Sequence, residues 1–249
     1  MIAALAPLFQ GAFAGYGDLL RLPGDPGTAD ALPVLAMADR AWREAVLSRF
    51  RPDLPGADPR ALFSLWSKYY FLRLMPPVLA SNLLLDRALP LAPDNLSLCL
   101  DRSALPAAFV LPDDGGPLLP GAGQPLARFR GLVLEQLAPL IAEWGEASGL
   151  AARVLWSNAS RYVNWFLGEL ESALPDDRIV AGRALLETAC FADGTANPFF
   201  GAYRLRRDPA TGDTHSVRRL CCIQFRLPQT PLCEDCPRLY GRAGCRTGT

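Results

Sequence analysis

The sequence predicts a mainly α-helical chain with a small antiparallel β element, which places it in the α+β class, followed by an irregular C-terminal tail. Three observations support this. Apolar residues recur at helical spacing through most of the stretch 33–190. One short stretch, 96–111, alternates between the two faces of a strand instead. Beyond residue 200 the chain is rich in turn-forming residues and cysteine. We therefore expect a mostly helical domain over 1–200 and a distinct C-terminal segment over 201–249.

The first predicted helices lie on either side of a proline-rich break. The stretch 33–50 has its apolar residues near one helical face. Asp58 followed by Pro59 is a favourable N-cap and first-turn pair for the next helix. The pair at 76–77 should bend or end that helix, because proline removes a backbone donor and clashes with the preceding turn. A further helix is then expected to continue to about Leu89.

The middle of the chain predicts a β-hairpin and then more helices. The alternating segments 96–101 and 107–111 are typical of paired strands, and a Gly/Pro loop over 113–123 follows them. A long helix comes next, with Pro139 expected to kink it. Its buried face is predicted to contain Phe129, Val133, Leu137, Leu140 and Trp144. Two more helices are predicted over about 150–173 and 178–190.

Composition and charge limit the classes of function. The 25 basic residues balance the 25 acidic ones, which argues against a nucleic-acid-binding protein with a broad basic surface. The N-terminus is apolar but has no basic residue before Arg21, so no secretory signal is evident. The apolar stretch 69–85 contains Arg73 and the proline pair, which argues against a membrane span. We expect a protein of the cytoplasm that keeps its thiols reduced.

Four cysteines near the C-terminus follow the spacing C-C-x10-C-x2-C, at Cys221, Cys222, Cys233 and Cys236. Soft thiolate ligands select zinc, copper(I) or an iron–sulfur cluster. Tetrahedral zinc sites usually take ligand pairs two to four residues apart, so the adjacent pair favours a wider, two-iron cluster. Structural zinc stays open as an alternative. Disulfides are disfavoured because no secretory signal accompanies the cysteines.

The same spacing, with Arg218 and Arg219 before it, resembles the C-terminal signature of the ferric siderophore reductase family typified by FhuF. Two helical stretches, 66–70 and 154–159, are also similar to segments of that family. The resemblance implies that Cys221, Cys222 and the Cys233–Cys236 pair hold a [2Fe-2S] cluster. The tail has few apolar residues, so we expect cluster binding to order it.

By this resemblance the substrate is a cytoplasmic ferric siderophore, of hydroxamate type, which one-electron reduction would release as Fe(II). No glycine pattern in the chain is a credible dinucleotide-binding fingerprint. An external electron donor, such as a ferredoxin or flavoprotein, is therefore implied. Two alternatives stay open: a zinc-stabilised or cluster-containing siderophore-binding or sensor module without reductase activity, and a siderophore-biosynthetic relative that uses ATP.

Several side chains are candidates for binding the chelate. Aromatic residues and a lysine on one helix, and arginines close to the cysteines in sequence, would suit an oxygen-rich ligand. The alternative for the aromatic residues is a place in the core. The candidates are Trp66, Lys68, Tyr69, Tyr70, Arg204, Arg206, Arg218 and Arg219, with Trp156, Asn158 and Asn164 as a second group.

The tail is basic: from residue 201 onward nine arginines face four acidic residues. This surplus is either an ordinary solvated surface, or it offsets the negative charge of a cluster and attracts an acidic donor. His215 is interpreted as a solvated residue or a donor to the cluster surroundings. Cys99 and Cys190 are expected to be buried, and Cys245 to be a free thiol outside the ligand set.

Overall fold

The computed structural model describes residues 2–118, 125–171 and 175–239. These ranges contain five α-helices and three small sheets, and the helices and the largest sheet contribute to one main hydrophobic core. Helices make up most of the regular structure and the strands are short, which is the α+β fold that the sequence predicts. None of the described helices combines the length and apolar character needed to cross a membrane.

Helix α1 spans Arg40–Phe50, after a short 3-10 turn at Val34–Ala38. The sequence predicted one helix over 33–50. The break arises because Asp39 is the N-cap of α1: its side chain accepts a hydrogen bond from the Trp42 N–H at 2.7 Å, which starts a new helix there.

Helix α2, Pro59–Leu85, is the central element of the core. Asp58 is its N-cap, as predicted. The sequence predicted that the proline pair bends or ends the helix; it does not end it, since α2 continues through Pro76 and Pro77. Most residues between Ala61 and Leu83 are buried against neighbouring elements, and this burial offsets the hydrogen bonds that the prolines lose. No second helix extends toward Leu89.

The predicted hairpin is confirmed. Strand β4 (Ser97–Leu100) pairs antiparallel with β5 (Pro106–Val110), with Leu98 opposite Phe109. Both strands belong to a four-stranded sheet of order β1-β5-β4-β2, in which β1 is Leu20–Arg21 and β2 is Leu32–Pro33. A smaller sheet pairs β3 (Arg87–Ala88) with β6 (Gly116–Pro117). Part of the predicted loop, 119–123, lies outside the described residues.

The predicted face at Phe129, Val133, Leu137, Leu140 and Trp144 is fully buried. A π-helical segment, Gly131–Leu137, leads into α3, Ala138–Ser148. Pro139 therefore lies in the first turn of α3, where a missing N–H costs little, and it does not kink a continuous α-helix. The change from π- to α-helix takes place just before the proline.

Helix α4 spans Ala152–Leu170 and packs closely along α2. Helix α5 spans Asp176–Glu187, so it ends before the predicted 190. Cys190 lies beyond it, in an isolated bridge with Ala196, and is exposed rather than buried. Cys99 is buried, as expected.

The segment after residue 200 is less irregular than predicted. Strand β7 (Tyr203–Arg207) and strand β8 (Thr214–Arg218) form an antiparallel hairpin, with Leu205 opposite Ser216. Strand β8 leads directly to the cysteines. Leu227, further along, belongs to the main hydrophobic core, so this segment packs on the helices. The division of the chain into domains at residue 200 stays a prediction.

Candidate metal centre

The four predicted cysteines come together in the structure. Cys222, Cys233 and Cys236 are buried side by side, and the half-buried Cys221 packs against them. The sulfurs of Cys222 and Cys233 are 3.3 Å apart. Four sulfurs in one largely buried place are the ligand chemistry that a thiolate-bound metal group needs.

The backbone between the adjacent cysteines and the next turn has an unusual conformation. Ile223 has a φ of 56°, in the left-handed region that β-branched residues rarely adopt. Its N–H points back to Cys221 and donates to the sulfur at 3.4 Å. A single 3-10 turn, Gln224–Arg226, follows. This reversal is how two neighbouring cysteines can serve one site.

The second pair forms the compact turn that its spacing predicts. The Cys236 N–H donates to the Cys233 carbonyl oxygen at 3.1 Å. Within the described ranges, no set of three or more His, Cys, Asp or Glu side chains forms a ready-made site for a single metal ion. The burial and mutual contact of the cysteines nevertheless fit a sulfur-ligated group, since they leave these thiols no other evident role.

Two buried cations contact the same sulfur. Lys68 Nζ donates to Cys233 Sγ at 3.0 Å, and Arg218 Nη2 donates to it at 3.2 Å. Lys68 comes from α2 and also donates to the side-chain oxygen of Gln224. Burying two positive charges costs free energy unless negative charge lies nearby. The site is therefore built to hold negative charge on its sulfurs.

The pKa shifts at the site are consistent with negative charge on the sulfurs. Hydrogen bonds from Cys221 and Cys233, and the nearby charges of Lys68 and Arg218, lower the pKa of the Cys222 thiol. The same hydrogen bonds raise the pKa of Cys221 and Cys233. Burial alone would lower the pKa of Arg218, but Asp235 and the cysteines outweigh it, so that pKa is raised and the guanidinium stays charged.

Arg218 is fully buried and links the cysteines to the rest of the protein. Its Nε lies 3.1 Å from Asp235 Oδ1, and its backbone N–H donates to the Asp235 carbonyl at 2.9 Å. Arg161 also pairs with this carboxylate, and the Tyr203 hydroxyl donates to it at 2.9 Å. Asp235 thus balances one of the two cations at the sulfurs.

A seam of small polar side chains joins the cysteine segment to α2 and α4. The Asn158 amide donates at 3.0 Å to the side chains of Ser64 and Ser67, and its oxygen accepts from Arg218 at 3.3 Å. The Ser64 hydroxyl donates to the Cys222 carbonyl at 2.5 Å, and the Ser157 hydroxyl donates to the Leu220 carbonyl at 3.0 Å. The seam fixes the backbone of the first cysteine pair against both helices.

Among the described residues, two cavities reach the cysteine segment at Leu220 and at Cys233, and a third, of about 290 Å³, has Asn164, Glu234 and Asp235 in its wall. The apolar cavity, about 550 Å³, is lined by Trp156, Phe200, Leu220, Arg153 and Arg219 among others. The Cys233 cavity, about 450 Å³, has Cys233 itself in its wall. Its other walls include Lys68, Tyr69, Arg161, Tyr162 and Gln229.

The residues that the sequence suggested for chelate binding lie in different places: some line one of the cavities, and others are buried in the core. Trp66 is fully buried and its indole N–H donates to the Ala104 carbonyl at 2.8 Å, so it is a core residue and not a binding residue. Tyr70 is equally buried. Lys68 and Tyr69 line the Cys233 cavity, whereas Arg219 lines the apolar cavity.

The other candidates have varied positions. Arg218 is closed off beneath the cysteines and cannot reach a solvent-borne ligand. Arg204 and Arg206 lie on β7, and His215 lies opposite Arg206 on β8. Trp156 lines the apolar cavity and Asn158 belongs to the polar seam, while Asn164 is half-buried on α4. Cys245 lies outside the described residues.

Sequence reasoning missed the seam of Ser64, Ser67, Ser157 and Asn158. Its one available signal was the presence of small polar residues on the faces of α2 and α4 that otherwise carry apolar residues. Gln224 and Asp235 were also missed. Both flank the cysteines closely in sequence, and each is the partner of one buried cation.

Two family models match the chain. One, described as "Ferric iron reductase FhuF-like transporter", matches residues 64–213, and the other, "FhuF 2Fe-2S C-terminal domain", matches residues 218–238, which include all four cysteines. The ferric siderophore reductase of Escherichia coli (strain K12) is 26% identical over 181 residues. That match covers 71% of this chain and 65% of the relative's length.

Two solved structures are also similar to the chain. The ATP-bound aerobactin synthetase IucA from a hypervirulent pathotype of Klebsiella pneumoniae has a TM-score of 0.50 at 13% identity, over 69% of this chain and 37% of its own. A second IucA structure has a TM-score of 0.47, also at 13% identity, over 76% of this chain and 37% of its own. At this identity the first likeness shows the fold alone. On the residues that the family models match, the chain belongs to the FhuF-like ferric iron reductase family and carries its [2Fe-2S] C-terminal domain.

Proposed function

We propose that the protein reduces ferric siderophores, of hydroxamate type, by one electron at a time and so releases Fe(II) for iron assimilation. The observation that carries this proposal is the buried four-cysteine site with two cations on one sulfur, within the segment matched by the [2Fe-2S] domain. Cys221, Cys222, Cys233 and Cys236 would hold the cluster. When bound, the cluster supplies one-electron transfer.

The overall reaction balances with an external donor. A one-electron donor, a ferredoxin or a flavoprotein, loses one electron, and the chelated Fe(III) gains it to become Fe(II). Hard, anionic oxygen ligands hold Fe(III) far more tightly than Fe(II), so the metal leaves, and the freed ligand oxygens take up protons from water. The donor and the cytoplasmic site of this reaction are part of the proposal.

The residues around the cysteines provide the charge and the burial that electron transfer at this site would need. Lys68 and Arg218 contact Cys233 Sγ and would offset the negative charge that a bound cluster places on the sulfurs when it is reduced. Burial of three cysteines excludes water and strengthens these charge interactions. Asp235 holds Arg218 in place, and Gln224 holds Lys68, so that both cations stay directed at Cys233.

The test is an anaerobic visible spectrum of the purified protein, taken before and after dithionite and again after a ferric trihydroxamate is added. We expect a red-brown protein that bleaches on reduction and regains its colour with the chelate, while an Fe(II) indicator develops. A colourless protein with one zinc ion per chain would contradict the proposal. A coloured protein that reduces the ferric chelate only slowly, even with excess donor, would indicate a sensor instead.

Substitution of cysteines tests the ligand assignment. Cys236→Ser should abolish or greatly weaken the visible bands, because it removes one of four thiolates. Cys245→Ala is the matched control and should leave the spectrum unchanged. An intact spectrum in Cys236→Ser would show that this cysteine is not a ligand.

A further inference from the structure

The site at which the chelate binds can be inferred from the cavities that adjoin the cysteine segment. An Fe(III) chelate must come close to the cluster to accept an electron. The apolar cavity reaches Leu220, next to the cysteines in sequence, but no cysteine lines it, and none lines the third cavity beside Glu234 and Asp235. The Cys233 cavity has one of the four cysteines in its wall, and its volume lies in the usual range for small-molecule sites.

The wall of the Cys233 cavity contains two tyrosine hydroxyl groups that can donate hydrogen bonds to a ligand. Tyr69 and Tyr162 are half-buried, and neither hydroxyl hydrogen-bonds to any residue in the described part of the chain. The Tyr69 ring is held edge-on against Phe50, at 5.5 Å between centroids. Burial raises the pKa of Tyr162 to about 12, which keeps it a neutral donor. Fixed donors without internal partners suit a ligand rich in oxygen acceptors.

The charged side chains of this cavity are already paired within the protein. Arg51 makes a two-pronged contact with Asp53, at 2.8 and 2.7 Å. Arg161 pairs with Asp235 and, at 3.3 Å, with the exposed Glu234, which also lines the cavity. Lys68 pairs with Cys233 and Gln224. The cavity therefore offers neutral donors and aromatic surface rather than free positive charge.

We propose that the Cys233 cavity is the chelate-binding site, where Tyr69 and Tyr162 donate hydrogen bonds to the iron-ligating oxygens of a neutral ferric chelate. This inference rests on the proposed reductase function. It also explains a preference by charge: three hydroxamates neutralise Fe(III), whereas three catecholates leave a strongly anionic complex that the internally paired cations would not compensate.

The test uses gallium(III) complexes, because Ga(III) has the size and ligand preference of Fe(III) but is not reduced here. Isothermal titration calorimetry with the cluster-containing protein measures the affinity for a neutral cyclic gallium trihydroxamate. The double variant Tyr69→Phe/Tyr162→Phe keeps both rings and removes both donors. It should bind the complex about tenfold more weakly, or weaker still, with an unchanged visible spectrum.

The matched control is Arg153→Gln/Arg219→Gln, which replaces two guanidinium groups of the apolar cavity with neutral amides. Its affinity should stay within about twofold of the parent protein. Weaker binding in this control, with normal binding in the tyrosine variant, would overturn the proposal. An anionic gallium tris-catecholate that binds as tightly as the trihydroxamate would overturn the charge preference.

Failure of this inference can be separated from failure of the proposed function. If the parent protein reduces the ferric trihydroxamate and the tyrosine variant does so with an unchanged KM, the protein is a reductase whose chelate site lies elsewhere. If the parent protein binds the gallium complex through the two tyrosine hydroxyls but does not reduce the ferric trihydroxamate, the chelate-binding site is confirmed and the reductase function is contradicted.

Discussion

Substituting methionine for Lys68 tests whether the buried cations control the redox behaviour of the site. Methionine has a similar length, so the variant removes the charge and the hydrogen bond with little change in packing. A positive charge next to a thiolate ligand favours the reduced, more negative form. Lys68→Met should therefore make the reduction potential more negative.

The size of the effect follows from the contact distance. Lys68 Nζ lies 3.0 Å from Cys233 Sγ. At that distance a full unit of charge on the sulfur would interact by about 1.4 kcal/mol in water and about 5.5 kcal/mol at an effective dielectric constant of ~20. Only part of the added electron resides on one sulfur, so we expect a loss of about 1–2 kcal/mol. That corresponds to a potential about 45–90 mV more negative.

The assay is an anaerobic redox titration followed in the visible spectrum. Arg226→Gln is the matched control, because Arg226 pairs with Asp58 at 3.1 Å and contacts no cysteine in the described chain. The control should shift by no more than about 15 mV. The reasoning is refuted if Lys68→Met keeps an intact cluster spectrum and its potential moves no further than that of the control.

Two other predictions concern stability. Asn158→Ala removes the centre of the polar seam and leaves Arg218 with one partner fewer, so it should lower the free energy of unfolding in urea by about 2–3 kcal/mol. Asn164→Ala, on the same helix, should cost less than about 0.5 kcal/mol, and equal costs would contradict a structural role for the seam. Asp86 has its pKa lowered from 3.8 by Arg178 first and Arg128 second, so its stabilising contribution is present above about pH 4 and is lost as the pH falls below that. Asp86→Asn should therefore lower the melting temperature slightly at pH 7, and the difference between the two proteins should shrink as the pH falls below 3.8; a difference that does not shrink would contradict this.

The elements that the sequence predicted well are those set by local pattern. The hairpin at β4 and β5 follows from alternation, and the buried face that includes Phe129 and Trp144 follows from helical spacing. The cysteine positions follow from the ligand spacing and from the resemblance to the family. Each of these depends on residues that lie close together in the sequence.

The errors arise where distant parts of the chain override local preference. Proline lowers helix stability wherever it occurs, yet α2 passes through Pro76 and Pro77 because burial along its length outweighs that cost. Trp66 is of a side-chain type that often binds ligands, and only the folded structure shows that the hydrophobic core encloses it. No local pattern reveals that Ser64 and Asn158 meet the backbone beside Cys222.

The contact between Lys68 and Cys233 connects the two parts of the chain that the family models match separately. Lys68, the single lysine of the sequence, lies on α2, and its sulfur partner lies in the C-terminal segment. The cation that we expect to favour the reduced form thus also fastens that segment to the helices. A buried charge without its partner is strongly destabilising. Changes that separate the C-terminal segment from α2 should therefore alter the potential and the stability together, whereas changes confined to the Tyr69 and Tyr162 hydroxyls should alter chelate affinity alone.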